Sequence, residues 1–334
     1  MTPLSKIPTN PVIRRLAAAS AITLAAWIFA MLPRAAAPVQ AILDRANDFF
    51  YDTYYRLRPI DSHANGQVII LAVDDRSLAA VNKAFPDNGG WPWPREFWGQ
   101  IVTYLDKAGA KAVVFDLLFS ETSAYQSRTG DDTNFADALG ELKVPIVFGS
   151  MVSPDGKWGP FAPPIPKPTF GAVNVGDDTI FRRYTPSVYG QNSLAARAVK
   201  AIGREPQLPI DRPFLLHYYG PHQTSSGTRT YHYISAASVL VAQLQGDEAA
   251  KAAGLTPDLF RDKIVLIGAI TTGTYDLKSS PLSTMYPGVE VQATAMDNLL
   301  AGQQVLVAPS FWGWLTPPAR RPPHDGRNHV PTPG

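Results

Sequence analysis

The sequence predicts an α/β domain with a mixed, largely parallel sheet and a β-rich insertion, preceded by one transmembrane helix. Three observations carry that prediction. In two distant stretches, residues 68–119 and 262–302, a continuous apolar run ends at small or acidic residues. That is the pattern of a buried strand feeding a loop at its carboxyl end. Between residues 68 and 115 the order is strand, helix, strand, which implies parallel neighbours joined by a right-handed crossover. Near the amino terminus, residues 16–32 run without a single charge, as a membrane-spanning helix does.

Residues 1–15 contribute Lys6, Arg14 and Arg15, which favour a cytoplasmic amino terminus and a signal anchor at residues 16–32. At about 1.5 Å per residue that run reaches roughly 26 Å, within the lower range of spanning helices. Ala35-Ala36-Ala37 would also serve as a cleavage pattern, so a removed signal peptide is the alternative. Either one exports the chain beyond it.

Residues 39–58 hold apolar and aromatic side chains at helical spacing up to Pro59, predicting a helix that packs Phe49, Phe50 and Tyr54 on the domain. A strand comes next at 68–73, then a helix at 96–108 stopped by Gly109, and a strand at 112–115. Residues 131–142 read as a helix and 144–148 as the next strand. The proline-rich segment 151–169 is irregular. Residues 171–175 and 181–189 alternate like short strands about a turn at Gly176, Asp177 and Asp178. Helices are predicted at 194–202, 235–245 and 289–300, and strands at 214–219 and 264–267. The extracytoplasmic domain so delimited covers residues 40–304. Residues 305–334 are rich in Pro and Arg and poor in aliphatics, which predicts a disordered tail. A truncated or frameshifted carboxyl terminus is the expectation.

Composition narrows the function. The net charge is +2 without a basic stripe, which argues against a nucleic-acid partner. The chain has no cysteine, so disulfides and thiolate metal sites are excluded. Its six histidines show no HExxH pattern, and no nucleophile elbow, kinase signature or cyclase signature is present. Residues 268–273 (GAITTG) come after a strand but lack the Lys-Ser/Thr ending of a phosphate loop. No catalytic residue, metal ligand or cofactor is predicted.

Asp74, Asp75, Asp116 and Asp276 fall at or just beyond predicted strand ends, where the loops of a parallel sheet converge on one crevice. Carboxylates there suit a hard cation or an amine-bearing ligand. They equally suit helix and turn caps, or ion pairs with Arg76 and Arg95. Trp91 and Trp93 each precede a proline, and so form a stiff aromatic segment that either lines a cleft or anchors a loop in the core. Arg95 opens the next helix, where a cation opposes the helix dipole. An acidic partner is therefore expected, with Asp75 and Asp116 as candidates. His217 and His222 read as ordinary strand and loop residues.

Asp74-Asp75, Ser77-Leu78, Trp91-Pro92-Trp93-Pro94-Arg95, Asp116 and Phe119 match a family pattern, as do Gly268, Asp276, Pro281, Pro287-Gly288-Val289-Glu290 and Ala293. Together they resemble the second type of CHASE domain (cyclases/histidine kinases associated sensory extracellular), a bacterial receptor module. The likeness covers nearly all of residues 40–304, and the Trp-Pro-Trp-Pro-Arg run is its most specific part. Gln292 stands where many members carry histidine.

The resemblance implies an extracytoplasmic signal-sensing domain anchored in the cell inner membrane by a single pass. Its signal would be an unidentified small molecule or ion, and a homodimer is compatible with it. Asp74, Asp75, Trp91, Trp93, Arg95, Asp116, Asp276 and Glu290 are the candidate ligand-binding residues. The family normally continues into further membrane helices and a cytoplasmic histidine kinase, adenylate cyclase or diguanylate cyclase. None is recognisable here, so the chain is expected neither to be an enzyme nor to signal alone. Two rival classes are a metal-assisted periplasmic hydrolase using the Asp cluster and a module that docks an envelope protein through Trp91 and Trp93.

Overall fold

The computed structural model describes Ser20, Thr23 and residues 37–58, 64, 66–87, 90–176, 179–271 and 277–305. Apart from Ser20 and Thr23, the predicted anchor at residues 16–32 lies outside the described residues, as do Asp276, the turn residues Asp177 and Asp178, and the tail from residue 306. Among the described residues no helix is long and apolar enough to cross a membrane. The chain divides into two units, residues 51–305 and residues 1–50 with 306–334.

Helix α1 (Ala37–Leu57) spans the boundary between these units. β1 (Val68–Val73) is buried at every residue and passes through Asp74 into α2 (Asp75–Ala84). α3 (Arg95–Lys107) returns to β2 (Ala112–Asp116), and α4 (Gln126–Thr129) and α5 (Asp131–Gly140) lead to β3 (Ile146–Ser150). β4 (Phe170–Ala172) and the short β5 (Arg183–Tyr184), β6 (Ser187–Val188) and β7 (Gln191–Asn192) precede α6 (Leu194–Ala201). Next come β8 (Phe214–Leu215), β9 (His232–Ser235), α7 (Ala236–Gln245), α8 (Asp247–Ala252) and α9 (Pro257–Phe260). β10 (Ile264–Ala269), β11 (Leu277–Lys278), β12 (Tyr286–Pro287) and α10 (Gly288–Ala301) complete the order.

Six strands form one sheet in the order β4-β3-β2-β10-β1-β9, every neighbouring pair parallel. The antiparallel pairs β5/β8, β6/β7 and β11/β12 lie outside that sheet. The predicted mixed, largely parallel α/β fold is what forms. Strand alternation sorts the apolar side chains into two cores. Ile69, Leu71 and Val73 pack with Phe97, Trp98, Phe135 and Leu240 of α3, α5 and α7. Val68, Ile70 and Ala72 pack with Val199 and Met296 of α6 and α10. Each fully buried aliphatic of this kind stabilises the fold by roughly 1.5–3 kcal/mol.

Three features depart from the sequence reading. Phe49, Phe50 and Tyr54, the expected inward face of α1, are 66%, 68% and 45% exposed, whereas Tyr51 and Tyr55 are 4% exposed. The inward face is the one whose hydroxyls reach a backbone carbonyl, that of Leu216, at 2.6 and 3.1 Å. α1 carries more than one aromatic stripe, and periodicity alone does not choose between them. Helix α2 and the edge strand β9 were also not predicted. α2 is held by its cap, Asp74 Oδ1 accepting from Ser77 N at 2.7 Å, and β9 by its pairing with β1.

Glycine is required where backbones approach most closely. A Cβ on Gly171 of β4 would stand 2.5 Å from the Cα of Leu194, at the start of α6. Gly171→Ala is therefore expected to destabilise the fold by about 1–3 kcal/mol in urea unfolding, the range for overpacking. Gly140→Ala, with no atom within 4 Å of its added Cβ, should leave the midpoint almost unchanged.

Candidate functional site

The carboxyl ends of β1 and β10 open onto a cleft of about 390 Å³, lined by Asp74, Asp75, Arg76, His222 and Arg229 with Ile270, Leu277, Met285 and Pro287. A larger cleft of about 1320 Å³ runs beside β9 and shares Asp74, Arg76 and Arg229 with the first. This is where ligands enter an open parallel sheet. Asp74 and Asp75 are there because β1 ends at Val73 and turns directly into α2. Asp74 also accepts from Ser77 Oγ at 2.5 Å, and Ser77 Oγ lies 2.8 Å from Ser235 Oγ, tying the cap to the end of β9.

Behind His222 stands Glu290, in the first turn of α10 and fully buried. Its Oε1 is 2.7 Å from His222 Nδ1 and accepts from the Tyr233 hydroxyl at 2.6 Å. Its Oε2 is buried with no hydrogen-bond partner among the described residues. Burial, and then the Glu290 charge, push the Tyr233 hydroxyl well above the ordinary tyrosine range, so it stays a donor. Arg229 lies over the Tyr233 ring, 4.5 Å from its centroid. Of the predicted site residues, Asp74 and Asp75 thus face the cleft directly, and Glu290 reaches it through His222.

The other candidates sit elsewhere. Trp93 is 1% exposed and packs 5.2 Å from Trp98, its Nε1 without a partner among the described residues. Trp91 is 37% exposed and flanks that pair. Of the two roles open to this segment, the structure shows the core anchor at Trp93. Arg95 pairs with Asp132, Nε to Oδ1 at 3.4 Å, and lies 4.5 Å over the Phe119 ring. Its acidic partner is therefore neither Asp75 nor Asp116. The reason lies at the start of α3, which comes after Pro94 and has no cap of its own. Asp131 supplies the cap from α5, accepting from Arg95 N at 2.7 Å and Glu96 N at 2.9 Å. That places Asp132 beside the Arg95 side chain.

Asp116 ends β2, and its charge adds to the burial that raises the Tyr184 hydroxyl. Gln292, at the position noted for its departure from the family, accepts from that hydroxyl at 2.6 Å inside the core. Among the described residues no group of three His, Asp or Glu side chains is placed to hold a metal ion. Sequence reasoning missed Arg76, Arg229, His222 and Tyr233 as cleft residues. Only the Gly-Pro turn before His222 hinted at a fixed position.

The tyrosines around Glu290 and α1 give this region a definite pH response. Burial pushes Tyr51, Tyr218, Tyr231, Tyr233 and Tyr286 well above the usual range. Below about pH 10 these groups are protonated in both folded and unfolded chains and contribute no pH dependence. Above it the unfolded chain loses protons first, so their contribution falls as pH rises. The thermal midpoint is expected to drop steeply above about pH 10, with most tyrosinate absorbance appearing together with unfolding. Full tyrosinate absorbance on a still-folded chain would contradict this burial.

A sequence model of the CHASE2 domain matches residues 22–319. No curated protein and no solved structure gives a significant match. The match spans nearly the whole chain, including both strand-end motifs and the helix that carries Glu290. The chain belongs to the CHASE2 domain family, a family of extracellular sensory domains of receptors.

Proposed function

We propose that this chain is the signal-sensing part of a membrane-anchored bacterial receptor and that its signal, a small molecule or ion, binds in the cleft bounded by Asp74, Asp75 and His222. Binding there would be passed to a cytoplasmic histidine kinase or cyclase through α1. The apolar run at residues 16–32 behind three basic residues supports an inner-membrane anchor with the domain outside.

The observation that carries this reading is a continuous line of contacts from the cleft to α1. Pro287 lines the cleft, and its neighbour Tyr286 donates to Gly220 O at 3.3 Å, two residues before His222. The Tyr286 ring lies 5.3 Å from Tyr218, which lies 5.9 Å from Tyr55 of α1. Tyr218 N also donates to Tyr55 Oη at 2.9 Å. A ligand moves such a system only by binding one arrangement more tightly than the other, and a rigid aromatic chain gives the cleft and α1 a shared pair of arrangements.

Two measurements test this reading. Alkaline phosphatase fused after Gly302 should be active in the periplasm; an inactive fusion would overturn the export claim. The chain has no cysteine, so Tyr54→Cys, at an exposed position of α1, takes a single fluorophore. Its emission should change when a ligand that raises the thermal midpoint fills the cleft. A label that stays silent under saturating ligand would break the proposed link.

A further inference from the structure

We propose that the larger cleft binds an extended acidic peptide of another protein, which joins the central sheet as a further strand alongside β9. The two edges of the sheet are finished differently. At β4 the outer edge is closed: Ala172 forms a bridge with Ser193, and Phe170 O accepts from Arg197 Nε at 3.1 Å. At the other edge β9 pairs with β1 alone among the described residues. In a strand paired on one side, every second residue turns its N–H and C=O away from the partner. Among the described residues the backbone of His232, Tyr233 and Ile234 meets no hydrogen-bond partner outside β1. The strand, His-Tyr-Ile-Ser in unbroken register with β1, also lacks the lysine, proline or bulge that blunts an exposed edge.

The cleft of about 1320 Å³ follows this open edge from end to end, with Gly66 and Lys263 ahead of β1 and β10 and Asp74 and Arg76 beyond the end of β1. Its volume exceeds the range of about 300–1,000 Å³ usual for small-ligand sites. Four residues of β9 at about 3.3 Å each run for roughly 13 Å, the reach of a short peptide. An extended backbone is the ligand whose donors and acceptors repeat at the spacing of that edge. Across from the strand the wall is made of small side chains, Ala80 of α2 and Ala249 and Ala252 of α8, which leaves room for the residues of an incoming strand. Charge sets the character of the peptide. The charged groups of the wall are Arg76, Arg229 and Lys263 against Asp74 and Asp258, and His232 adds to the positive side when protonated. Asp258 is already paired with Arg261 at 3.1 Å, and Asp74 Oδ1 is held by Ser77. Arg76 and Arg229 form no ion pair with a described residue. The balance is positive, and aspartate or glutamate side chains meet it. A second copy of β9 carries no acidic residue, so pairing of two copies at this edge would leave that charge unmatched.

Fluorescence anisotropy with the purified full chain in detergent tests this, using labelled heptapeptides that alternate valine with glutamate or valine with lysine. The glutamate peptide should bind. The lysine peptide, and a glutamate peptide N-methylated at its amides, should each bind at least about tenfold more weakly. Hydrogen exchange at residues 232–234 should slow when the glutamate peptide is bound. Ala80→Phe and Ala252→Phe, at exposed helix positions in the wall, should each weaken binding by about tenfold or more with the thermal midpoint unchanged. Arg76→Glu combined with Arg229→Glu should turn the preference toward the lysine peptide, which a loss of folding cannot do. Failure of the glutamate peptide to bind at millimolar concentration would overturn the inference. Equal affinity for the N-methylated or the lysine peptide would overturn it too, as would binding that leaves exchange at residues 232–234 unchanged. Protection of residues 232–234 that grows with protein concentration in the absence of peptide would give the edge to a second copy of this chain and sink the peptide reading.

Discussion

The burial of α10 on all its faces as far as Leu300 is the constraint on which the rest of this domain depends. Every residue from Tyr286 to Leu300 is buried, yet the helix carries Glu290, Gln292, Thr294, Asp297 and Asn298. A buried polar group left without a partner costs about 1–3 kcal/mol, so the surrounding chain must supply partners at fixed positions. It does so largely with tyrosine. Tyr233 meets Glu290, Tyr184 meets Gln292 at 2.6 Å, and Tyr231 meets Thr294 at 3.3 Å. Asn298 accepts from His217 N at 2.8 Å and donates to His217 O at 3.1 Å. A helix lined only with leucine would tolerate sliding and rotation. This one is held in register by hydrogen bonds whose loss in a low-dielectric core is expensive.

The same segment that clothes α10 also grips α1. Leu216 O accepts from Tyr51 and Tyr55, the His217 backbone bonds Asn298, and Tyr218 N donates to Tyr55. Three consecutive residues are therefore bonded alternately to the helix leading from the amino-terminal segment and to the helix that backs the cleft. A bidentate pair, Arg182 to Asp52 at 2.8 Å on both oxygens, adds a second attachment nearby. Interfaces made of a few discrete hydrogen bonds change by swapping partners rather than by bending. Residues 216–218 thus tie α10 to α1 through a small number of particular hydrogen bonds.

Much of the sheet was legible in the sequence because parallel central strands are apolar on both faces, as 68–73, 112–115 and 264–267 plainly are. The edge strand His232–Ser235 was not legible: it is short, carries polar side chains, and exists because β1 offers an unpaired edge. The α2 helix was missed because its start depends on one cap at Asp74 rather than on a long periodic run. At the site, strand ends announced Asp74 and Asp75. Arg229 and His222 come from a loop more than 140 residues further along, and only the closed fold brings them together. The Arg95 partnership went astray for a related reason. Helix dipole reasoning correctly demanded an acid, but the acid was selected by the missing cap of α3, a need met from α5.

The residues that carry the family resemblance are chiefly those the fold needs. Trp93 fills the core beside Trp98, and Asp74 caps α2. Gly268 leaves room for Val289, whose Cγ2 would sit 2.6 Å from an added Cβ. Pro287 and Gly288 start α10 where its first turn can bring Glu290 to His222. By contrast Arg76, Arg229 and His222, which line the cleft, stand outside that resemblance. Substituting an exposed arginine in a cleft wall costs little stability, generally within about 0.5 kcal/mol, whereas replacing Gly268 or Trp93 forces backbone or core to move. The scaffold and the side chains of the cleft wall are therefore under separate physical constraints. Family membership accounts for the scaffold that opens the cleft, and the loop at residues 220–231 adds His222 and Arg229 to its wall.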